Sequence, residues 1–190
     1  MKKVIFMAAA TLFALAGCNQ PTTTAKFDGS KGEVKLITLD PGHFHAALVQ
    51  MYMYDQVDPV VNVYAPAGDD AKMHLDRIAI YNNREQNPTT WQEQLYEGDD
   101  FLEKMLSERK GNVVVLAGNN GKKTGYVKAA VDAGINVLSD KPMAIDAERF
   151  AVLEKTLDEA AAKGVMVYDI MTERGEINNE LQRVLVAMPE

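Results

Sequence analysis

The sequence has few of the residues that form covalent or metal cross-links, with one cysteine and three histidines among its 190 residues. A single cysteine excludes a disulfide within the chain and leaves no spare cysteine as a metal ligand. The chain also lacks an excess of positive charge. Its net charge of −7 does not favour nucleic acid or anionic lipid headgroups, so we expect no nucleic-acid partner.

The one long apolar run lies at the N-terminus. Residues 1–17 contain two lysines and then 14 uncharged residues, and the only cysteine, Cys18, directly follows Leu-Ala-Gly. This pattern is typical of a bacterial lipoprotein signal peptide, because the apolar part is shorter than the roughly 20 residues that span a bilayer. We predict lipidation at Cys18 and an anchor in the cell envelope, with Asn19 favouring the outer membrane or periplasmic face. An ordinary secretory peptide with a chance cysteine is the alternative.

Residues 18–32 are polar and indicate a flexible tether, and residues 33–175 form the predicted folded body. In the body, short apolar runs alternate with helical patterns, which predicts an α/β fold with a Rossmann-like, doubly wound parallel sheet. Gly134 and Gly164 are expected to end helices. The predicted strands lie at 34–39, 60–65, 112–118, 135–138 and 164–171, with a short one near 94–96 in an irregular stretch. Helices are predicted at 43–53 and 71–81, within 122–134, and within 146–164.

The stretch ITLDPGHFHAALV, residues 37–49, joins a predicted strand to a predicted helix through two histidines, His43 and His45. A His-x-His pair at the end of a strand can bind a metal, because alternate residues of a strand face the same way. The only other histidine is His74, which leaves the ligand set short unless carboxylates complete it. The sequence therefore predicts no metal, and histidines that only hydrogen-bond locally remain an alternative.

A dinucleotide-binding turn is the other interpretation of this stretch. Such a turn carries glycines at three offsets, and here Asp40, Gly42 and His45 occupy those positions. Only the middle glycine is kept, which is the one that lets the backbone approach a pyrophosphate. The acidic residue that usually binds a ribose after the second strand is missing, since Tyr64 and Ala65 stand there.

Residues 112–144, NVVVLAGNNGKKTGYVKAAVDAGINVLSDKPMA, resemble the N-terminal domain of the Gfo/Idh/MocA-type oxidoreductases. Those proteins show a strand ending in Ala-Thr-Pro-Asn, a helix ending in Ala-Gly, and a strand followed by Glu-Lys-Pro. Asn120 matches the Asn, Lys123 a position that is often His, and Asp140, Lys141 and Pro142 match Glu-Lys-Pro. Asp140 is one methylene shorter than the family's Glu. Together with the lipoprotein signal, the resemblance indicates a divergent lipoprotein subgroup of the family.

The resemblance implies a nucleotide-binding domain of an oxidoreductase that uses NAD or NADP, tightly bound, and acts on a sugar or polyol-like substrate. It implies a catalytic role for Lys141, presented beside a proline at the end of a strand. The expected cofactor contacts are Asp40, Gly42, His43, Phe44, Asn119, Asn120, Asp140, Lys141 and Pro142. Further candidates for the ligand crevice are Asp169, Glu173 and Arg174.

The end of the chain departs from the family pattern. Residues 176–190 are expected to start a linker helix to a second, C-terminal α/β domain that is missing here. Without that domain we expect no turnover by this chain alone, and the apolar face of the helix predicts self-association or poor solubility. A redox-neutral glycosidase relative that retains NAD, and a non-catalytic, lipid-anchored binding module, remain alternatives.

Overall fold

The computed structural model describes residues 27–170 and 176–188. Six strands alternate with five helices in the first range, and one helix lies in the second. In chain order the elements are β1 Leu36–Leu39, α1 His45–Leu48, β2 Val60–Ala65, α2 Asp69–Asn83, β3 Gln92–Glu97, α3 Phe101–Glu108, β4 Val113–Leu116, α4 Asn120–Asp132, β5 Asn136–Ser139, α5 Ala147–Lys163, β6 Val167–Asp169 and α6 Ile177–Val186.

The six strands form one sheet in the order β3-β2-β1-β4-β5-β6. All five strand pairs are parallel, and β1 pairs with both β2 and β4. The chain therefore builds outward from β1 in one direction and then crosses back to build in the other. Ligands of such sheets bind at the carboxyl edge beside this switch point. The predicted α/β, doubly wound Rossmann-like fold is confirmed.

The core covers both faces of the sheet. Strands β1 and β4 are buried along their whole length, which explains their unbroken apolar sequences. Alternate residues point to opposite layers. One cluster joins Ile37 and Leu116 to helices α3, α4 and α5, and the other joins Leu36 and Val115 to α1 and α2. The sheet edge that carries the candidate site is thus held by packing on both sides.

Two helices end where Gly134 and Gly164 were expected to end them. Gly134 follows the end of α4 with φ of 75°, and Gly164 caps α5 with φ of 68°. Both values lie in the left-handed region, where a residue with a side chain is disfavoured. These glycines let the chain turn back directly into β5 and β6.

One expectation about secondary structure was wrong, and one helix was not predicted. The helix predicted at 43–53 is only the four residues of α1. The backbone carbonyl of Gln50 instead accepts a hydrogen bond from the indole N–H of Trp91, at 2.6 Å, and that of Met51 accepts one from Arg84. Tertiary bonds thus replace further helical turns. Helix α3 was not predicted, although Phe101 and Met105, spaced by four and both buried, carried its signal.

The terminal helix α6 agrees with the predicted start of a helix after residue 176. Its apolar side chains are solvent-exposed in the structure, including Ile177, Leu181, Val184 and Leu185. No helix among residues 27–170 and 176–188 is long and apolar enough to cross a membrane. The predicted signal peptide, most of the tether and Cys18 lie outside the described residues.

Candidate functional site

The chain leaves β1 through a turn that begins with a strained residue. Asp40 has a φ of 48°, in the left-handed region that aspartate tolerates better than most residues with a side chain. Its backbone N–H donates to the carbonyl of Tyr64, at 2.9 Å, and its carboxylate accepts from the hydroxyl of Tyr126, at 2.8 Å. Asp40 is therefore buried. Its carboxylate is held by a hydrogen bond from a residue of α4 and is not free to face a ligand.

The turns after β1 and β4 touch each other through two glycines. A Cβ added to Gly118 would lie 2.0 Å from the carbonyl oxygen of Asp40, so no side chain fits there. A Cβ on Gly42 would lie 3.3 Å from a carboxylate oxygen of Asp70 and 3.4 Å from the Cα of Gly118. Gly42 itself is exposed at the sheet edge, as expected for a glycine that admits a ligand to the backbone.

The turn after β4 is held by side-chain hydrogen bonds. Asn119 caps α4, because its side-chain oxygen accepts from the N–H groups of Gly121 and Lys122. The ammonium of Lys123 donates to the side-chain oxygen of Asn120, at 2.8 Å, and to the carbonyl of Asp140, at 3.1 Å. Burial lowers the pKa of Lys123, although Asp140 acts in the opposite direction. Lys123 thus ties the end of β5 to the start of α4.

At the end of β5, Asp140 makes several contacts. Its N–H donates to the carbonyl of Leu116, at 2.7 Å, and its Oδ1 accepts from the N–H of Lys141, at 2.8 Å. Oδ1 also lies 3.0 Å from Nδ1 of His45, and Oδ2 lies 3.2 Å from Nδ1 of His43. Burial raises the pKa of Asp140, but His45 and Lys123 outweigh that effect, so the pKa lies below its ordinary value.

Lys141 and Pro142 follow Asp140 and are exposed at the sheet edge, joined by a cis peptide bond. The ammonium of Lys141 forms no ion pair within the part of the chain that the structure describes. The bond from its N–H to Asp140 fixes where its backbone lies. Lys141 is thus an exposed cation that is available to a ligand at the end of β5.

The predicted site residues fall into two groups. The structure brings Gly42, His43, Asn120, Asp140 and Lys141 to one edge, together with Asn119 and Pro142. Phe44 instead faces α2, where the guanidinium of Arg77 lies 5.7 Å from its ring centroid. These two residues line a pocket of about 280 Å³, open solvent included. Gly42 and His43 of the first group line it as well, so the pocket adjoins the sheet edge; the remaining lining residues are Pro41, Asp70, Met73 and His74.

Of the three further crevice candidates, Asp169 is the last residue of β6 and pairs in register with Ser139. It therefore lies at the same carboxyl edge of the sheet, one strand beyond Asp140. Glu173 and Arg174 lie outside the described residues.

The end of β2 does not carry the usual ribose site. The hydroxyl of Tyr64 donates to Glu108 of α3, at 2.7 Å, and no acidic residue follows until Asp69 and Asp70 in the first turn of α2. Helix α1 has four residues and no side-chain cap. The residues present therefore fit a dinucleotide at the β4 and β5 side, where it would meet amides and a lysine, better than at the β1 and β2 side.

Sequence reasoning missed a pair of buried polar side chains, His74 and Glu93, next to the pocket beside Phe44. Nε2 of His74 and Oε2 of Glu93 lie 3.9 Å apart, and neither atom has a hydrogen-bond partner. Burial, with Arg77 nearby, lowers the pKa of His74 to about 4. Burial also raises the pKa of Glu93 to about 7, although a hydrogen bond from Gln50 acts to lower it. Both side chains are therefore predominantly neutral at pH 6. No sequence spacing would have paired them, because β3 is brought to α2 only by the sheet.

Comparison with known proteins assigns the family. Residues 45–169 match the model for the oxidoreductase family with an NAD-binding Rossmann fold, Gfo/Idh/MocA. A crystal structure of a "putative oxidoreductase" from Parabacteroides merdae is 61% identical, with a TM-score of 0.83, and covers 86% of this chain. No curated protein matches the sequence.

More distant solved structures share the fold alone. One is biliverdin reductase with biliverdin and NADP+ from Synechocystis, at 14% identity and a TM-score of 0.59, covering 83% of this chain and 44% of that one. Another is apo scyllo-inositol dehydrogenase from Lactobacillus casei, at 15% identity and a TM-score of 0.58, covering 83% and 42%.

The chain spans 37% of the length of the Parabacteroides protein, so it corresponds to one part of a longer relative. The matched part holds most of the sheet and the turns after β4 and β5. This chain therefore belongs to the Gfo/Idh/MocA oxidoreductase family, and the matched residues are its NAD-binding Rossmann domain.

Proposed function

We propose that this chain is the dinucleotide-binding part of an exported, lipid-anchored, NAD(P)-dependent oxidoreductase that acts on a sugar or polyol. The observation that carries the proposal is the edge where β4 and β5 end. There, Asn119, Asn120 and Lys141 are exposed beside the bare backbone of Gly42, in a domain whose family binds NAD. Amides, a cation and an accessible backbone are the groups that hold a dinucleotide and a hydroxylated substrate.

NAD(P), when bound, supplies the hydride acceptor or donor, and the protein supplies position and charge. Lys141 can donate a hydrogen bond to a substrate hydroxyl, or take up the proton that this hydroxyl loses on oxidation. Asp140 fixes the backbone of Lys141 through their 2.8 Å bond, and Lys123 fixes the carbonyl of Asp140 from behind. The lysine is thus presented from a rigid strand end, as positioning catalysis requires.

A sugar or polyol is proposed because such substrates present several hydroxyl groups to polar side chains of this kind. One distant structural relative is a scyllo-inositol dehydrogenase, whose substrate is a cyclic polyol. Export implies a cofactor that is retained, since a pool of free NAD is not expected outside the cytoplasm. A single domain forms one wall of a cleft, so turnover is expected only in a chain that includes a second wall.

A non-catalytic binding module is the second candidate. It is favoured by the four-residue α1 and by the missing acid at the end of β2. Such a module would keep the fold and the lipid anchor but would bind no dinucleotide.

Dinucleotide binding by isothermal titration with NAD+ and NADP+ tests the proposal. We expect binding that Gly42→Val abolishes, because its side chain occupies the approach to the turn, and that Lys141→Ala weakens about tenfold, as loss of a charged hydrogen bond would. Lys155→Ala is the control, since Lys155 is an exposed lysine in the middle of α5. A thermal melt of each variant establishes that it is folded. Absence of binding in the folded chain, and in a chain extended by a second domain of the family's type, would favour the binding module.

The anchor is tested separately by fractionation of cells that express the chain with Cys18→Ser. Loss of the protein from the membrane fraction is expected, because without the thiol no lipid can be attached. Unchanged membrane retention would contradict the proposed anchor.

A further inference from the structure

Three potential metal ligands converge where β1 and β5 end. They are His43 and His45, from the turn after β1, and Asp140, from the end of β5. One ligand atom from each of the three residues lies within 4.8 Å of the others. The sequence argument against a metal was a shortage of ligands, and the parallel sheet supplies the third ligand from a residue 95 positions further along the chain than His45.

The contact between His45 and Asp140 is close without being a well-directed hydrogen bond. Nδ1 of His45 lies 3.0 Å from Oδ1 of Asp140, yet this buried nitrogen has no hydrogen-bond partner of acceptable geometry. The two side chains are 10% and 5% exposed, so water does not satisfy them freely. A buried nitrogen left without a bond is costly unless another group completes its coordination.

The spacing of the three ligands suits a small divalent ion. Ligand atoms placed tetrahedrally at about 2.0–2.1 Å from zinc are roughly 3.3 Å from one another. The nitrogen–oxygen distances here are 3.0 Å from His45 to Oδ1 of Asp140 and 3.2 Å from His43 to Oδ2, so each imidazole lies close to its own oxygen of one carboxylate. The two imidazole rings meet edge to face with their centroids 4.2 Å apart, which lets both direct a nitrogen toward the same carboxylate.

The local charge also favours a cation. The carboxylate of Asp140 is buried between two imidazole side chains, and the carboxylate of Asp70, from the first turn of α2, lies close to Gly42. The ammonium of Lys123 also acts on this carboxylate electrostatically, but its hydrogen bonds go to Asn120 and to the backbone carbonyl of Asp140. It contacts the main chain of Asp140, while the two histidines contact the carboxylate.

We propose that His43, His45 and Asp140 bind one divalent first-row transition ion of the zinc or cobalt type. Two imidazoles and one carboxylate leave at least one coordination position open. His43 is 42% exposed, so the open position faces the sheet edge, where an oxygen ligand such as a hydroxyl or a phosphate can reach it. The proposal does not depend on dinucleotide binding.

The test is titration of the purified full chain with Co²⁺ and Zn²⁺, without a polyhistidine tag and in a Cys18→Ser background that removes the only thiol. We expect one ion per chain at micromolar concentration and the visible absorption of a tetrahedral cobalt complex. His43→Ala should weaken binding at least about 100-fold, more than removal of an outer-shell partner does. This variant changes an exposed side chain, so its fold should be retained.

Asp140→Asn is the second variant, because its amide oxygen can still accept the N–H of Lys141 while its charge is lost. It should also abolish binding. His74→Gln is the matched control, since it removes the remaining histidine outside the cluster and should bind metal like the parent chain. Absence of binding in the folded parent chain, or binding that survives both His43→Ala and Asp140→Asn, would overturn the site and leave a hydrogen-bonded cluster in its place.

Discussion

The two turns that meet at the switch point of the sheet differ in how they are built. The turn after β4 carries a side-chain cap from Asn119 and a buried lysine that ties it to β5. The turn after β1 leads into a helix of four residues without a side-chain cap and has Asp40 and His45 at positions where phosphate-binding turns keep glycines. The match to the family model begins at His45, just beyond this turn. The family match therefore includes the turn after β4 but not the turn after β1.

The same contrast extends to buried polar groups. Among the described residues, the buried side-chain atoms without a partner are all in the first half of the chain, on Thr38, His45, Gln50, His74 and Glu93. Unpaired buried polar atoms are costly, and native proteins keep few of them away from functional sites. The unpartnered buried atoms thus lie in the half of the chain that holds the two histidines of the proposed ion site and the buried pair of His74 and Glu93.

The largest effect is expected from a substitution that breaks the contact between the two turns. Gly118→Ala would put a Cβ 2.0 Å from the carbonyl oxygen of Asp40, and backbone atoms on both sides leave little room for relaxation. We expect the free energy of unfolding to fall by about 3 kcal/mol, as in overpacked cores. Urea denaturation followed by far-UV circular dichroism measures it.

Gly125→Ala is the control for that change. Gly125 lies inside α4, and an added Cβ would meet no atom within 4 Å. The substitution should raise stability by about 0.5–1 kcal/mol, because alanine is the better helix former. Equal effects of the two substitutions would show that the turns do not depend on their close approach.

The second half of the fold was predictable because its signals are local. Each signal there depends on residues only a few positions apart in the sequence. These signals are the apolar runs of the strands, the helix stops at Gly134 and Gly164, and the motif of Asp140, Lys141 and Pro142. The first half was predicted less well, because the end of α1 depends on Trp91 and Arg84, far along the chain. The meeting of His43 and His45 with Asp140 is a product of strand order, which no spacing in the sequence encodes.

The second prediction concerns a substitution that loosens the turn after β4. Lys123→Met keeps the volume of the side chain but leaves the carbonyl of Asp140 and the amide of Asn120 without their charged donor. We expect a loss of about 2 kcal/mol in the free energy of unfolding at pH 7. Lys122→Met, at an exposed neighbouring position, should change it by less than about 0.5 kcal/mol. A similar small loss in both variants would show that the buried bonds of Lys123 do not hold this turn.

The third prediction concerns the buried pair of the first half. The pKa of His74 falls from 6.5 to about 4 in the folded protein, so the stability it contributes is lost as the pH falls from 6.5. The pKa of Glu93 rises from 4.5 to about 7, so the stability it contributes is lost as the pH rises from 4.5. Between pH 4.5 and 6.5 the two effects oppose each other, and this pair should leave the stability of the parent protein nearly independent of pH.

Glu93→Gln removes one of these effects and keeps an oxygen that can accept from Gln50. The stability of this variant should fall by about 1 kcal/mol for each pH unit below 6.5, because only His74 then differs between the folded and unfolded states. Urea unfolding at pH 6.5, 5.5 and 4.5 compares the two proteins. Parallel pH profiles would contradict the assignment of a neutral pair.

The smallest expected effect compares the starts of the two helices. Asn119→Ala removes the oxygen that accepts from two N–H groups of α4, and loss of such a cap costs about 1 kcal/mol. Phe44→Ala removes the residue at the equivalent position of α1, where no side-chain cap exists. It should cost no more than about 0.5 kcal/mol, from its contact with Arg77. Urea midpoints of the two variants, at equal denaturant slope, decide the comparison. A larger loss from Phe44→Ala would mean that packing against α2, rather than capping, secures the first turn, and that this turn is as firmly built as the second.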